Sequence, residues 1–211
     1  ISYTFPLGDK TTVLIGDTVD GSSLFSIACV YGTPSNTMDD CGALNSAFVG
    51  SGTTLAASYD LDNGFYTAFG YAGAGDSTNG LMTKEGLDSY GLNAAYTGDD
   101  FGVSLSYALV EDSQTAEETY TALNAYWTPD GFPSISVGYE WTNDSDAASS
   151  ADTKTHYFIG VQFEEVGPGT LGFALGTKDA VTEGNDELLM YEAFYSYSVN
   201  DGMTITPLVY V

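Results

Sequence analysis

The sequence has no arginine, only four lysines and a single histidine, set against 29 acidic side chains in 211 residues. Its formal charge of −25 excludes a nucleic-acid binder, because phosphate recognition needs clustered Lys and Arg. A polybasic membrane anchor is excluded by the same shortage. Long apolar runs are missing too. The longest near-apolar stretch, Leu24 to Tyr31, is interrupted by Ser26 and falls far short of the roughly 18 residues of a membrane helix. Helical periodicity is absent throughout. High charge with few cations also suits disordered chains, but 43% hydrophobic and 14% aromatic residues are too many for a chain that buries no surface. The sequence opens without a start methionine, a basic leader or a cleavage site, and strand-like residues stand at both ends. We therefore expect a portion of a longer polypeptide, with N-terminal strands missing.

What is abundant is alternation. From Phe101, the residues Val103, Leu105, Tyr107 and Leu109 alternate with Gly102, Ser104, Ser106 and Ala108. Ile135, Val137, Tyr139 and Trp141 oppose Ser134, Ser136, Gly138 and Glu140, and Leu189, Tyr191, Ala193 and Tyr195 oppose Glu192 and Phe194. Period-two patterning of this kind predicts about twelve strands, several of them reaching the 9–11 residues of a tilted membrane strand. The second of these is expected over Thr11–Ile15 and the last over Met203–Val211.

Connections alternate as well. Short turns are read at Gly8–Lys10, Leu61–Asn63, Gly98–Asp100, Pro129–Gly131, Val166–Pro168 and Asn200–Gly202, where Asn, Asp and Gly accept positive φ. Long acidic loops are read at Gly16–Ser51, Gly73–Gly86, Glu111–Glu117, Asn143–Lys154 and Lys178–Glu187. Short turns at one end and long loops at the other describe an all-β, antiparallel up-and-down transmembrane β-barrel in one domain, 1–211.

The orientation of the two faces decides between barrel and sandwich. The outer face of a sandwich meets water with Lys, Glu, Arg and Thr, whereas the polar face here is Gly, Ser, Ala and Asn with a few carboxylates. Aromatics gather near strand ends, and Tyr96, Phe101, Tyr126, Trp127, Phe132, Trp141 and Phe163 are read as an interfacial girdle. The small polar face is then the lining of a water-filled lumen, with Glu140, Glu164, Glu192, His156, Asn93 and Gln162 on it. Carboxylates without compensating cations concentrate cations and repel anions. Segment 16–51 is longer than a simple connection and is expected either to narrow the lumen or to act as an exposed cap or a latch between subunits. Its two cysteines, Cys29 and Cys41, are read as a disulfide, whose closure of a loop this size is worth roughly 3 kcal/mol.

Catalysis finds no support. His156 would have to serve every Ser-His-Asp arrangement, no Gly-x-Ser-x-Gly elbow occurs, and His156 is read as a solvated group at a strand start. No Cys/His metal pattern exists, so neither metal nor cofactor is expected. The acidic runs Thr142–Asp146 and Glu183–Glu187 are read as solvated loops with at most weak affinity for cations.

Several stretches look familiar in order. Trp127-Thr128-Pro129, Pro133–Tyr139, Tyr157–Phe163, Leu171–Gly176, Tyr191–Tyr195, Val199–Pro207 and Thr83–Gly86 resemble cyanobacterial outer-membrane porins of the carbohydrate-selective porin (OprB) family. The resemblance implies a homotrimeric outer-membrane channel for ions and small solutes, with sugar passage among its relatives. It also implies an SLH domain ahead of the barrel, of which this sequence carries no trace, and a whole barrel of about 16 strands. The leading expectation is a passive, cation-favouring channel in the bacterial outer membrane, surrounded by lipid and contacting small solutes and inorganic cations. Its rival is a structural or adhesive surface protein whose lumen is filled by Tyr66, Phe158 and Phe194.

Overall fold

A computed structural model of the chain describes residues 1–74, 79–83, 85–113, 116–144, 153–182 and 185–211. Lys84 of the stretch Thr83–Gly86, and positions 145, 146, 183 and 184 of the acidic runs, lie outside the described residues. Among those described, fourteen strands form one antiparallel sheet. They are β1 (Ser2–Leu7), β2 (Thr11–Asp20), β3 (Ser51–Asp62), β4 (Phe65–Gly73), β5 (Asp88–Thr97), β6 (Phe101–Ser113) and β7 (Ala116–Trp127). The series continues with β8 (Ser134–Asp144), β9 (Lys154–Val166), β10 (Gly169–Thr177), β11 (Val181–Thr182), β12 (Leu189–Asn200), β13 (Met203–Ile205) and β14 (Leu208–Tyr210). Each strand from β1 to β9 pairs with the next; β12 then follows β10, and β13 and β14 both pair with β12. The outer edges of β1 and of β13 pair with nothing described, so the wall is open there.

Several boundaries differ from the sequence reading, and a two-residue strand, β11, lies inside the expected loop Lys178–Glu187. β2 runs on to Asp20, with its register shifting between Gly16 and Val19, so the long segment begins at residue 21 rather than 16. The expected loop Glu111–Glu117 is mostly ladder, with Glu111 opposite Glu117 and Ser113 opposite Ala116. The last strand is split at Thr206 and Pro207, because proline has no N–H to give the ladder.

Register carries the two-faced pattern across the sheet. Phe101 faces Trp127, which faces Ile135, then Val161, Phe173 and Ala193. These residues share the outward face, and its apolar side chains are exposed: Leu92 56%, Leu123 53%, Phe173 47%. On the opposite face Ser106, Ala108, Ala122, Asn124 and Glu140 are each fully buried. Exposed leucine over buried serine is the inverse of a soluble sandwich, and no second sheet among the described residues covers the apolar face. The outward face therefore suits lipid.

Candidate functional site: the segment across the inner wall

The inner face is buried because segment 21–50 lies on it. Its first pass is extended, and alternate backbone N–H groups reach side chains on β5, β6, β8 and β9. Ser26 N–H donates to Asn93 Oδ1 on β5 at 2.9 Å, and Ala28 N–H to Ser104 Oγ on β6 at 2.8 Å. Val30 N–H reaches Ser136 Oγ on β8 at 3.0 Å, and Gly32 N–H reaches Gln162 Oε1 on β9 at 2.9 Å. Strands are spaced about 4.8 Å apart, so the four spacings from β5 to β9 cover about 19 Å, close to the roughly 20 Å that six extended residues span. The pass thus crosses the strands nearly at right angles. Asn93 also returns Nδ2–H to Ser26 O at 3.1 Å, so its amide mimics a ladder partner.

Beyond Gly32 the chain turns on Glu192, whose carboxylate accepts from the Tyr31 hydroxyl at 2.9 Å and from the Ser35 hydroxyl. The Tyr31 ring packs edge-on against Phe158 and Phe194, with centroids 5.5 and 5.4 Å away. Burial first, and then the hydrogen bond to Glu192, push the Tyr31 hydroxyl above its ordinary range. A phenol held neutral in the folded state keeps this contact through neutral pH, and its stabilisation is lost as the pH rises past the unfolded phenol's range. Tyr66 donates to Leu24 O at 2.6 Å. The three bulky inward residues of the rival reading therefore carry the segment.

The second pass, 38–48, is a run of turns centred on Glu140. That carboxylate accepts Ser46 N–H at 2.7 Å, Asn45 N–H at 2.9 Å and Asn45 Nδ2–H at 3.0 Å. Asn124 Nδ2–H donates to Cys41 O at 2.7 Å. Gly138 is required here, since a Cβ on it would collide with Cys41 O. A disulfide between Cys29 and Cys41 ties the two passes together. Around it lies the cluster of Tyr31, Met38, Phe158, Ala174, Met190 and Phe194.

Each residue singled out in the sequence now has a position. Glu140, Glu192, Asn93 and Gln162 are on the inward face, but the segment engages all four, so Glu140 and Glu192 do not stand bare in a lumen. Glu164 is exposed near the short-turn end, accepting from Gln162 Nε2–H and the Thr170 hydroxyl, both at 2.6 Å. His156 corrects the expectation of a solvated side chain: it is 4% exposed. Its Nδ1 lies 2.7 Å from Thr177 Oγ1 and its Nε2 lies 3.5 Å from Asp40 Oδ1 of the segment. Among the aromatics, Tyr96, Phe101, Trp127, Trp141 and Phe163 are outward, and Phe132 sits exposed in the turn between β7 and β8. Tyr126 departs from the girdle. It is in register with Gly102 and Ser136, on the inward face, because the aromatic of β7 that faces out is its neighbour Trp127.

Sequence reasoning missed the residues of the segment that remain open. A cavity of about 390 Å³ is lined only by segment residues, among them Cys29, Tyr31, Thr33, Asp39 and Asp40. Asp39 is exposed, and Asp40 half-buried between this cavity and His156. Nothing in the strand pattern marks them, since a loop carboxylate looks the same solvated or poised in a lumen. Among the described residues no three His, Cys, Asp or Glu side chains group to hold a metal ion.

No family model and no curated protein matches the sequence. Solved structures do resemble the fold. An anion-selective porin from Comamonas acidovorans aligns with a TM-score of 0.67 at 17% identity, over 94% of this chain and 62% of its own. A doubly substituted mutant of the Rh. blastica porin aligns at 0.64 and 17% identity, over 99% of this chain and 70% of its own. A triply substituted mutant of that porin aligns at 0.63 and 15% identity, with the same coverage. The chain thus has the wall of a porin-type β-barrel and spans 62% of the length of the Comamonas protein.

Proposed function

We propose that the chain forms the wall and the constriction of a passive outer-membrane channel for ions and small hydrophilic solutes, favouring cations. One observation supports this reading: segment 21–50 lies on the inward face, hydrogen-bonded to strands β5 to β12 and with Asp39 and Asp40 at its open cavity, inside a wall whose outward face is apolar. Two carboxylates at a restriction, with few cations nearby, raise the local cation concentration and repel anions. The cation preference thus sits on the segment, with Glu164 adding to it near the short-turn end. Passage of sugars, kinship with the OprB porins and assembly as a trimer rest on the resemblance of the strands and belong to the same proposal, as does the lipid around the outward belt.

The test is conductance of the intact protein in a planar bilayer. Stepwise currents are expected, with a reversal potential under a KCl gradient that reports cation preference. Replacing Asp39→Asn and Asp40→Asn together should move the cation-over-anion ratio at least about twofold towards unity. A silent bilayer with folded protein would favour the structural, filled-lumen alternative. An unchanged ratio would take the preference away from the segment.

A further inference from the structure

The open cavity of segment 21–50 combines two unlike kinds of lining. Ile27 of the first pass and Ala43, Leu44 and Ala47 of the second are apolar, whereas Asp39 and Asp40 are acidic, and no lysine lines it. At about 390 Å³ it has the size of a small-molecule pocket, a class of about 300–1,000 Å³ that joins apolar walls to a few polar groups. The fold does not use up its carboxylates. Among the described residues the exposed Asp39 has no hydrogen-bond partner. Asp40 is occupied at Oδ1 only, which accepts Gly42 N–H at 2.7 Å and lies 3.5 Å from His156 Nε2.

We propose that this cavity is a transit site for amphiphilic organic cations: ammonium ions that carry a short alkyl or aryl body. The apolar wall, rather than the acidic pair, selects the class. A hydrated inorganic ion gains from the carboxylates alone, because an apolar wall cannot replace the water that the ion would shed. An alkylammonium gains twice, its N–H groups donating to Asp39 and to Asp40 Oδ2 while its body covers Ile27, Leu44 and Ala47. An anion with the same body is repelled by the carboxylates and finds no cationic side chain in the lining. The passage of such ions deepens the channel reading and rests on it; their binding is tested apart from it.

The experiment adds ethyl-, butyl- and hexylammonium to the intact protein in a planar bilayer and reads the block of its KCl current. Block is expected to strengthen about threefold per methylene, since each added group leaves water for the apolar wall. Hexylsulfonate at the same concentrations should leave the current unchanged. The two linings have separate signatures. Asp39→Asn should weaken the block by every chain length alike, about threefold, because it acts on the head group. Leu44→Ser should weaken hexylammonium block about fivefold and ethylammonium block less than twofold, because it acts on the body.

Block independent of chain length overturns the inference, as does equal block by hexylsulfonate or a hexylammonium block indifferent to both substitutions. A second measurement needs no current. In detergent-solubilised protein labelled at its alanine methyl groups, hexylammonium should shift the signals of Ala43 and Ala47, and hexylsulfonate should not. Unshifted signals overturn the inference whether or not the protein conducts. Absence of KCl steps from folded protein would remove the channel reading, and passage with it, while the methyl signals still decide the binding site.

Discussion

The two passes of segment 21–50 are held to the same wall by different chemistry. The first is extended and fastened by four neutral side chains on four strands, Asn93, Ser104, Ser136 and Gln162, each taking one backbone N–H. The second is compact, and its turn depends on one carboxylate, Glu140, that takes two backbone N–H groups and an amide. Distributed neutral bonds are each worth about 1 kcal/mol net, while a buried carboxylate with three donors concentrates several times that at one residue. The first pass should therefore loosen by degrees and the second nearly all at once. Between them, Cys29–Cys41 makes either pass a tether for the other.

Glu140→Gln is the sharpest way to break this contrast. The amide keeps the shape but turns an N–H₂ towards the N–H groups of Asn45 or Ser46, leaving buried donors opposed. We expect a cost of about 3 kcal/mol at the second pass, or about a hundredfold rise in its detached population. Limited proteolysis between residues 38 and 48, in detergent-solubilised protein, reads this directly. Cleavage should rise further when a dithiol reduces Cys29–Cys41, since the first pass then no longer restrains the second. Cleavage at the unsubstituted protein's rate would show that packing against Gly138 and the Asn124–Cys41 contact hold the turn without the charge.

Glu192→Gln should have a smaller effect. Its two partners are the side-chain hydroxyls of Tyr31 and Ser35, which rotate to suit an amide, and the Tyr31 ring stays wedged between Phe158 and Phe194. A loss of about 1–2 kcal/mol is expected, seen as faster cleavage near residues 31–37 with little change at 45. An effect as large as that of Glu140→Gln would erase the distinction between backbone and side-chain anchoring.

How much of this is legible in the sequence depends on which face is considered. The outward face is dictated residue by residue, because each strand alone repeats an apolar side chain at every second position; Leu92, Leu123 and Phe173 announce themselves without reference to any neighbour. The inward face is legible as small and polar, and parity alone puts Glu140 and Glu192 on the side opposite the apolar residues. What occupies them is not legible. Gly138 reads only as one more small residue of the polar face, yet its physical reason is the carbonyl of Cys41, which approaches from a distant part of the chain. His156 reads as solvated because burial by a loop leaves no periodic trace in a strand. Tyr126 joins the girdle in a reading by position because adjacent aromatics at a strand end share one label, although parity puts Trp127 outside and Tyr126 in.

The smallest effect tests whether the first pass behaves as four bonds or as one object. Ser104→Ala removes the acceptor of Ala28 N–H in a buried bond and should cost about 1 kcal/mol. Ser136→Ala does the same for Val30 N–H one strand beyond β7. If each N–H is released locally, the double variant costs the sum of the two. If the pass peels away from the wall as a unit, the first loss already exposes its neighbour, and the double variant costs less than the sum by about 0.5 kcal/mol or more. Hydrogen exchange at Ala28 and Val30 distinguishes the two, since local release exposes one amide per substitution and peeling exposes both. The perpendicular crossing favours the local outcome: each bond is made to a different strand, and the wall strands keep their own ladder when one hydroxyl is lost. Subadditive costs with joint exchange would instead make the first pass as concentrated in its response as the second, and the contrast between them would reduce to the charge on Glu140.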